Sequence, residues 1–171
     1  MKQFIFLVLL TTLILAANIS AQEQRAGKFG IGYTGNFSSE TNAITGTFWA
    51  TDNIVIEPQF GVNSISVEDN DASAWRLGAG ALFYFSETKV LPYLGIRVNA
   101  AIASMSNQSY TDLTLSAVFG GDYFVSEWFS VGAELRLNYG KTDDEFSPLY
   151  LVEKADIFFT EQVLNVKLYF N

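Results

Sequence analysis

The chain has 171 residues, no Cys, no His and a formal net charge of −8. That excludes disulfides, cysteine metal sites and imidazole chemistry, and the acidic balance argues against nucleic acid, which needs a basic face. Its 49% hydrophobic and 15% aromatic content is rich for a chain with no second apolar run of the ~18 residues that would mark a spanning helix.

Residues 1–21 read as a cleaved secretory signal peptide. Lys2 supplies the positive start, Phe4 to Ala17 is an apolar run broken only by Thr11 and Thr12, and Ser20-Ala21 offers small residues for cleavage before Gln22. Residues 22–171 then form one domain, with no internal repeat and no linker. It is read as eight short strands, each alternating apolar and polar residues.

The first opens at Lys28, with Phe29, Ile31 and Tyr33 opposite Lys28, Gly30, Gly32 and Thr34. A link at 38–42 leads to the second, 43–51, and Asp52-Asn53 makes a tight turn. The third sets Ile54, Ile56, Phe60 and Val62 against Glu57, Gln59 and Asn63. Pro58 inside it lacks a ladder donor, which points to an edge or a bulge. After an acidic link at 68–71, the fourth places Trp75, Leu77, Ala79, Ala81, Phe83 and Phe85 opposite Arg76, Gly78, Gly80 and Tyr84, with Leu82 an exception on the polar side.

A turn at 86–92 precedes the fifth, in which Leu94, Ile96, Val98, Ala100 and Ile102 oppose Gly95, Arg97 and Asn99. A loop at 104–111 leads to the sixth, Leu113, Leu115, Ala117, Phe119 and Tyr123 against Thr114, Ser116, Gly120 and Asp122, with Val118 a second exception. Ser126-Glu127 turns into the seventh, where Phe129, Val131, Ala133, Leu135, Leu137 and Tyr139 face away from Ser130, Gly132, Glu134, Arg136 and Asn138. The longest connection is 141–160. The eighth strand sets Leu164, Val166, Leu168 and Phe170 against Asn165, Lys167 and Tyr169. Connections after strands two, four and six are expected to be short or moderate and those after three, five and seven longer, with the short link after strand one an exception.

Alternation in eight strands fits two barrels. One is a membrane barrel with its apolar face outward; the other is a secreted, soluble lipocalin-like binder with that face inward. Three features favour the membrane. Lys28, Glu57, Arg76, Arg97, Asp122, Glu134, Arg136 and Lys167 all take the polar parity, and a Lys or Arg facing lipid at mid-depth costs about 2–4 kcal/mol. Gly residues share that parity, as if making room for long groups in a narrow lumen. Phe48, Trp49, Trp75, Phe83, Tyr84, Phe85, Tyr123, Phe124, Trp128, Phe129 and Tyr139 cluster near strand ends, where aromatic girdles are expected.

Three segments carry a further resemblance: LPYLGIRVNAA (91–101), DYFVSEWFSVGAELRLNYG (122–140) and the terminal VKLYF (166–170). With the leader, they resemble the small eight-stranded outer-membrane barrels, the OmpA/OmpX-like family. The resemblance implies an all-β, antiparallel, up-and-down transmembrane barrel in the outer membrane of a Gram-negative bacterium. It also implies that Val166, Leu168 and Phe170 form the C-terminal signal read by the barrel-insertion machinery, with periplasmic chaperones assisting. Family barrels with enzymatic sites use His, which this chain lacks.

The eight polar-parity charges are expected to form a lumenal ion-pair network, because buried charges persist only when paired and hydrogen-bonded. No catalytic, cofactor or metal residues are expected. Ser104, Ser106 and Ser109 have no base beside them, and Asp143, Asp144 and Glu145 read as a solvated loop tip. Asn36-Phe37-Ser38 matches a short and frequent glycosylation pattern. The expected protein is a monomeric, non-enzymatic outer-membrane barrel with a structural or adhesive role, its partners lipid and an extracellular molecule at loop 141–160. A small-solute conduit is the alternative within the membrane.

Overall fold

A strand that is apolar on one side and ionic on the other satisfies both faces when its sheet closes on itself. The computed structural model describes residues 25–36, 42–67, 70–85, 88–105, 108–142 and 156–170. They form eight strands: β1 (Phe29–Asn36), β2 (Ala43–Trp49), β3 (Ile54–Val67), β4 (Asn70–Tyr84), β5 (Val90–Met105), β6 (Gln108–Ser126), β7 (Phe129–Thr142) and β8 (Asp156–Phe170). Every neighbour in sequence pairs antiparallel, and β1 pairs with β8 to close the barrel. The expected signal peptide, the 38–42 link and the Asp143–Glu145 tip lie outside the described residues, apart from Asn42.

The apolar parity faces outward. Phe29, Ile31, Leu77, Ile96, Val98, Leu115 and Leu137 are among a belt of exposed large hydrophobic residues, far beyond the few hundred Å² of apolar patch usual on a water-soluble monomer. Aromatic pairs lie toward both ends of this wall: Phe29–Phe48 and Phe83–Phe85 at the short-turn end, Phe60–Trp75 and Tyr139–Phe158 toward the other. The polar parity faces the lumen.

Several expectations need correction. Trp49 and Tyr84 are not girdle residues. Both are buried in the lumen, and Phe124 is half-buried against the same cluster. Their positions carry the inward parity, and the end of a narrow lumen needs bulky rings to fill it. Leu82 and Val118 belong there too, beside Val55, Leu91, Tyr93 and Tyr169.

The long connections after strands three and five are also absent as loops. β3 continues to Val67 and β4 starts at Asn70, while β5 continues to Met105 and β6 starts at Gln108. β7 likewise runs to Thr142 and β8 begins at Asp156, inside the expected 141–160 loop. Where both faces meet water a strand has no need to alternate, so the ladder runs on through polar sequence.

Pro58 marks no bulge. Thr45 pairs with Gln59 and Phe48 with Ile56, so the β2–β3 register is the same on both sides of the proline. Pairing stops at the intervening residues on that side only, and the β3–β4 ladder runs through Pro58 opposite Ala79. The missing N–H therefore points at β2. Gly46 stands beside it; a Cβ there would lie 3.1 Å from the Pro58 ring.

The outward side of Leu135 gives a test. Leu135→Arg is expected to block folding into lipid vesicles, read as loss of the heat-modifiable gel shift, whereas Leu135→Met should fold. Normal folding of the Arg variant would show that this wall does not meet hydrocarbon.

Candidate functional site in the barrel lumen

The lumen is filled in three storeys. The lowest, at the short-turn end, is the ring cluster of Trp49, Tyr84 and Tyr93, whose centroids lie 4.8 and 4.9 Å apart in sequence. Phe124 stacks on Tyr169 at 5.1 Å. The base is capped by the segment before β1. Backbone N–H groups of Arg25 and Ala26 donate to Asp52 Oδ1 at 2.8 and 3.0 Å. Lys28 N–H donates to Arg25 O at 3.0 Å, closing a turn in which Gly27 holds φ +86°, a left-handed position that favours glycine. The Arg25 guanidinium then lies 5.4 Å from the Trp49 ring centre and 5.7 Å from that of Phe124. Those rings come from β2 and β6, on opposite walls of the barrel.

The middle storey is ionic. Arg97, on β5, is 1% exposed and bridges Glu57 of β3 at 2.7 Å and Glu134 of β7 at 2.8 Å. Glu134 also pairs with Arg136. Lys167 of β8 reaches Glu57 at 2.7 Å and Asp122 of β6 at 2.9 Å. Hydroxyls complete the acceptors: Tyr84 donates to Asp122 at 2.7 Å, Tyr93 to Glu134 at 3.0 Å and Thr47 to Glu57 at 3.4 Å. Each carboxylate thus meets at least one cation and one hydroxyl, the arrangement that offsets the several kcal/mol per ion of desolvation.

The upper storey is built from hydroxyl and amide hydrogen bonds that lead on to a charged pair. Thr34 donates to Asn165 at 3.1 Å, and Ser116 donates to Asn138 at 2.6 Å. Asn138 in turn reaches Glu161 at 3.4 Å, and Glu161 lies 3.6 Å from Arg136.

Of the eight charges singled out from sequence, six meet in the middle storey: Glu57, Arg97, Asp122, Glu134, Arg136 and Lys167. Lys28 and Arg76 also take the inward side, at other heights. Lys28 is four residues below Gly32, which faces Lys167, and Arg76 is four residues above Gly80, which faces Glu57. That is about 13 Å along the strand in each case. Glu161 was missed. It shares the inward parity of Val163, Asn165 and Lys167, but stands at the edge of the expected 141–160 connection, ahead of the first alternating residues read in the eighth strand. The clasp on Asp52 had no sequence signal beyond Gly27.

Inward glycines stand across from the longest lumen groups. A Cβ on Gly80 would come within 2.6 Å of the Arg97 guanidinium, one on Gly120 within 2.5 Å of the Tyr93 ring, and one on Gly32 within 2.9 Å of the Lys167 stem. The lumen therefore has room for its charges only because their neighbours carry no side chain. Val166, Leu168 and Phe170 stand exposed on the outer wall of β8. Among the described residues, no group of three or more Asp or Glu is placed to hold a metal ion.

Two outcomes test this geometry. Glu134→Gln keeps the shape but removes the charge between two guanidinium groups; it is expected to insert and to lose about 3 kcal/mol or more in urea unfolding. Undiminished stability would show that the pairing contributes little. Asp52, held by two backbone N–H donors, titrates below its ordinary value of 3.8. A carboxylate lowered in the folded state stabilises above that ordinary value, and the contribution is lost as pH falls through the lowered folded value. NMR shifts of the Arg25 and Ala26 amide protons should follow one titration centred below 3.8, absent in Asp52→Asn.

No protein-family model and no curated protein matches the chain. Among solved structures it is similar to Neisserial surface protein A, at 19% identity over 84% of this chain and 94% of that one, with a TM-score of 0.55. It is also similar to the N-terminal β-barrel domain of Pseudomonas aeruginosa OprF, at 16% identity over 87% of this chain and 100% of that one, with a TM-score of 0.51. The likeness is one of fold: this chain, like them, is a small eight-stranded antiparallel β-barrel.

Proposed function

We propose that this barrel is a closed, non-enzymatic element of the outer membrane, with a structural role in the wall and an adhesive role at its long-hairpin rim. One observation carries the closed-lumen reading: Arg97 spans the lumen between Glu57 and Glu134, with all three side chains at most 1% exposed. A solute crossing the barrel would have to part these charges inside a low-dielectric wall, leaving each one unpaired. Breaking one such pair costs about 3–5 kcal/mol, and the ring cluster capped by Arg25 stands in series below it.

The reading of the lumen charges as a structural plug rests on this geometry, as does the assignment of no catalytic role. Their carboxylates are already neutralised by cations and shielded from any substrate. Residues 1–21 are assigned to a cleaved leader, and the outward Val166, Leu168 and Phe170 to recognition by the insertion machinery. A monomer needs no further contact to cover its apolar wall, because lipid covers it.

Purified barrel in planar bilayers is expected to be electrically silent; steady unitary channels would replace the plug with the conduit. Phe170→Ser should slow assembly in vesicles seeded with insertion machinery far more than it slows spontaneous detergent folding. Equal slowing in both would remove the signal assignment.

A further inference from the structure

Every ladder but one joins strands that are consecutive in the chain, and the connection between them limits their alignment. The β1–β8 seam has no such connection, because it joins the first strand to the last. Its outer face supplies no alignment either. Phe29, Ile31 and Tyr33 of β1 and Val166, Leu168 and Phe170 of β8 are all apolar and all exposed. A one-residue slip of β1 would turn its apolar side chains into the lumen, but a two-residue slip keeps them outside. What separates the observed seam from its two-residue neighbours must therefore stand on the inner face.

Inside, β1 and the residue before it present Lys28, Gly30, Gly32 and Thr34 in turn. Gly30 stands opposite Tyr169 and Gly32 opposite Lys167. Tyr169 donates its N–H to Trp128, on the β7 side, so its pairing with Gly30 is the narrow kind in which side chains come closest. A Cβ on Gly30 would lie 2.9 Å from the Leu168 carbonyl oxygen and 3.0 Å from the Tyr169 ring. One on Gly32 would lie 2.8 Å from the Val166 carbonyl oxygen and 2.9 Å from the Lys167 stem. Neither large side chain can swing away without breaking other contacts. Lys167 is held by Glu57 and Asp122, and Tyr169 by the Phe124 ring at 5.1 Å and the Ser130 hydroxyl at 3.2 Å. One pair further up, Thr34 does carry a side chain, and it donates to Asn165 at 3.1 Å.

We propose that these four residues form a register key: two gaps on β1, Gly30 and Gly32, receive two anchored side chains of β8, Tyr169 and Lys167, in one alignment alone. Sliding β1 by two residues one way sets Thr34 against Lys167, and sliding it the other way sets Lys28 against Tyr169. Either slip brings a whole side chain to a place where a single Cβ already meets its neighbours. The ionic storey cannot substitute for the key. The height of Lys167 is set by its pairing with Ser130 of β7, so its partners on β3 and β6 stay within reach wherever β1 stands. The Thr34–Asn165 hydrogen bond adds to the same alignment.

The test moves the gaps. Gly30→Ala alone leaves every alignment with a blocked position, and the amides of residues 29–34 are expected to exchange about tenfold faster or more than in the unaltered chain. Adding Thr34→Gly places two gaps at positions 32 and 34, which fit Tyr169 and Lys167 after a two-residue slip. Compared with Thr34→Gly alone, the double variant should therefore show no further loosening. Its alignment should also change. Leu168 faces Ile31 in the unaltered barrel, and its amide–amide nuclear Overhauser contact should pass to Tyr33 in the double variant. Gly121→Ala, where a Cβ would meet nothing nearer than 3.8 Å, should exchange like the unaltered chain. Each barrel is folded in detergent and checked by heat-modifiable mobility; should Gly30→Ala fail to fold, Thr34→Gly is expected to rescue it. Unchanged exchange in Gly30→Ala would overturn the key, as would a Leu168–Ile31 contact retained in the double variant. A double variant that does not fold, or that loosens as much beyond Thr34→Gly as Gly30→Ala does beyond the unaltered chain, would reduce the glycines to ordinary close packing and overturn it as well.

Discussion

The fold depends on one constraint: an ionised group in a lumen eight strands wide must find its partner inside that lumen. Arg97 meets it by holding Glu57 and Glu134 at once, and Lys167 by holding Glu57 and Asp122. These contacts tie β3, β5, β6, β7 and β8 together across the barrel, which backbone ladders between neighbours cannot do. The ladders make a tube; the charge contacts fix its cross-section. Glycine at 80, 120 and 32 is part of the same solution, because a Cβ at each would press on the Arg97, Tyr93 or Lys167 side chain.

The three storeys answer different demands of the same cylinder. At the short-turn end, rings fill the lumen and Arg25 lies over two of them from opposite walls. In the middle, full charges are affordable only because cations and hydroxyls converge on each carboxylate. Above them, Thr34 bonds to Asn165 and Ser116 to Asn138, and Asn138 reaches on to the carboxylate of Glu161. The outside has a simpler task. It presents hydrocarbon-compatible side chains over its height and aromatic pairs toward each end.

Much of this was legible in the sequence because pleat parity is a strict rule. Arg97, Glu134 and Lys167 could be placed inside, and Leu135 and Leu137 outside, by counting in twos. Parity says nothing about height, so it could not tell that Lys28 and Arg76 lie about four residues from the middle storey along their strands. It also cannot follow a strand out of the membrane. Glu161 was lost because alternation fades where both faces are wet. Trp49 and Tyr84 show a competing prior at work: aromatic residues near strand ends suggest a girdle, yet their parity already pointed inward. Pro58 was undecidable from sequence, since the outcome turns on which neighbour its absent N–H would have faced.

The interrupted pairing between β2 and β3 has a consequence for the order in which the wall is stitched. From β3 to β8 the chain is a meander of long neighbouring hairpins, with two to five residues at each connection up to β7 and thirteen between β7 and β8. β1 and β2 are short, and their hold on β3 lapses beside Pro58. The last seam, Phe29 against Phe170, joins the two extremes of the barrel sequence and carries the largest closure entropy. A six-stranded open sheet, with its two shortest members added late, is the kinetic shape these lengths imply.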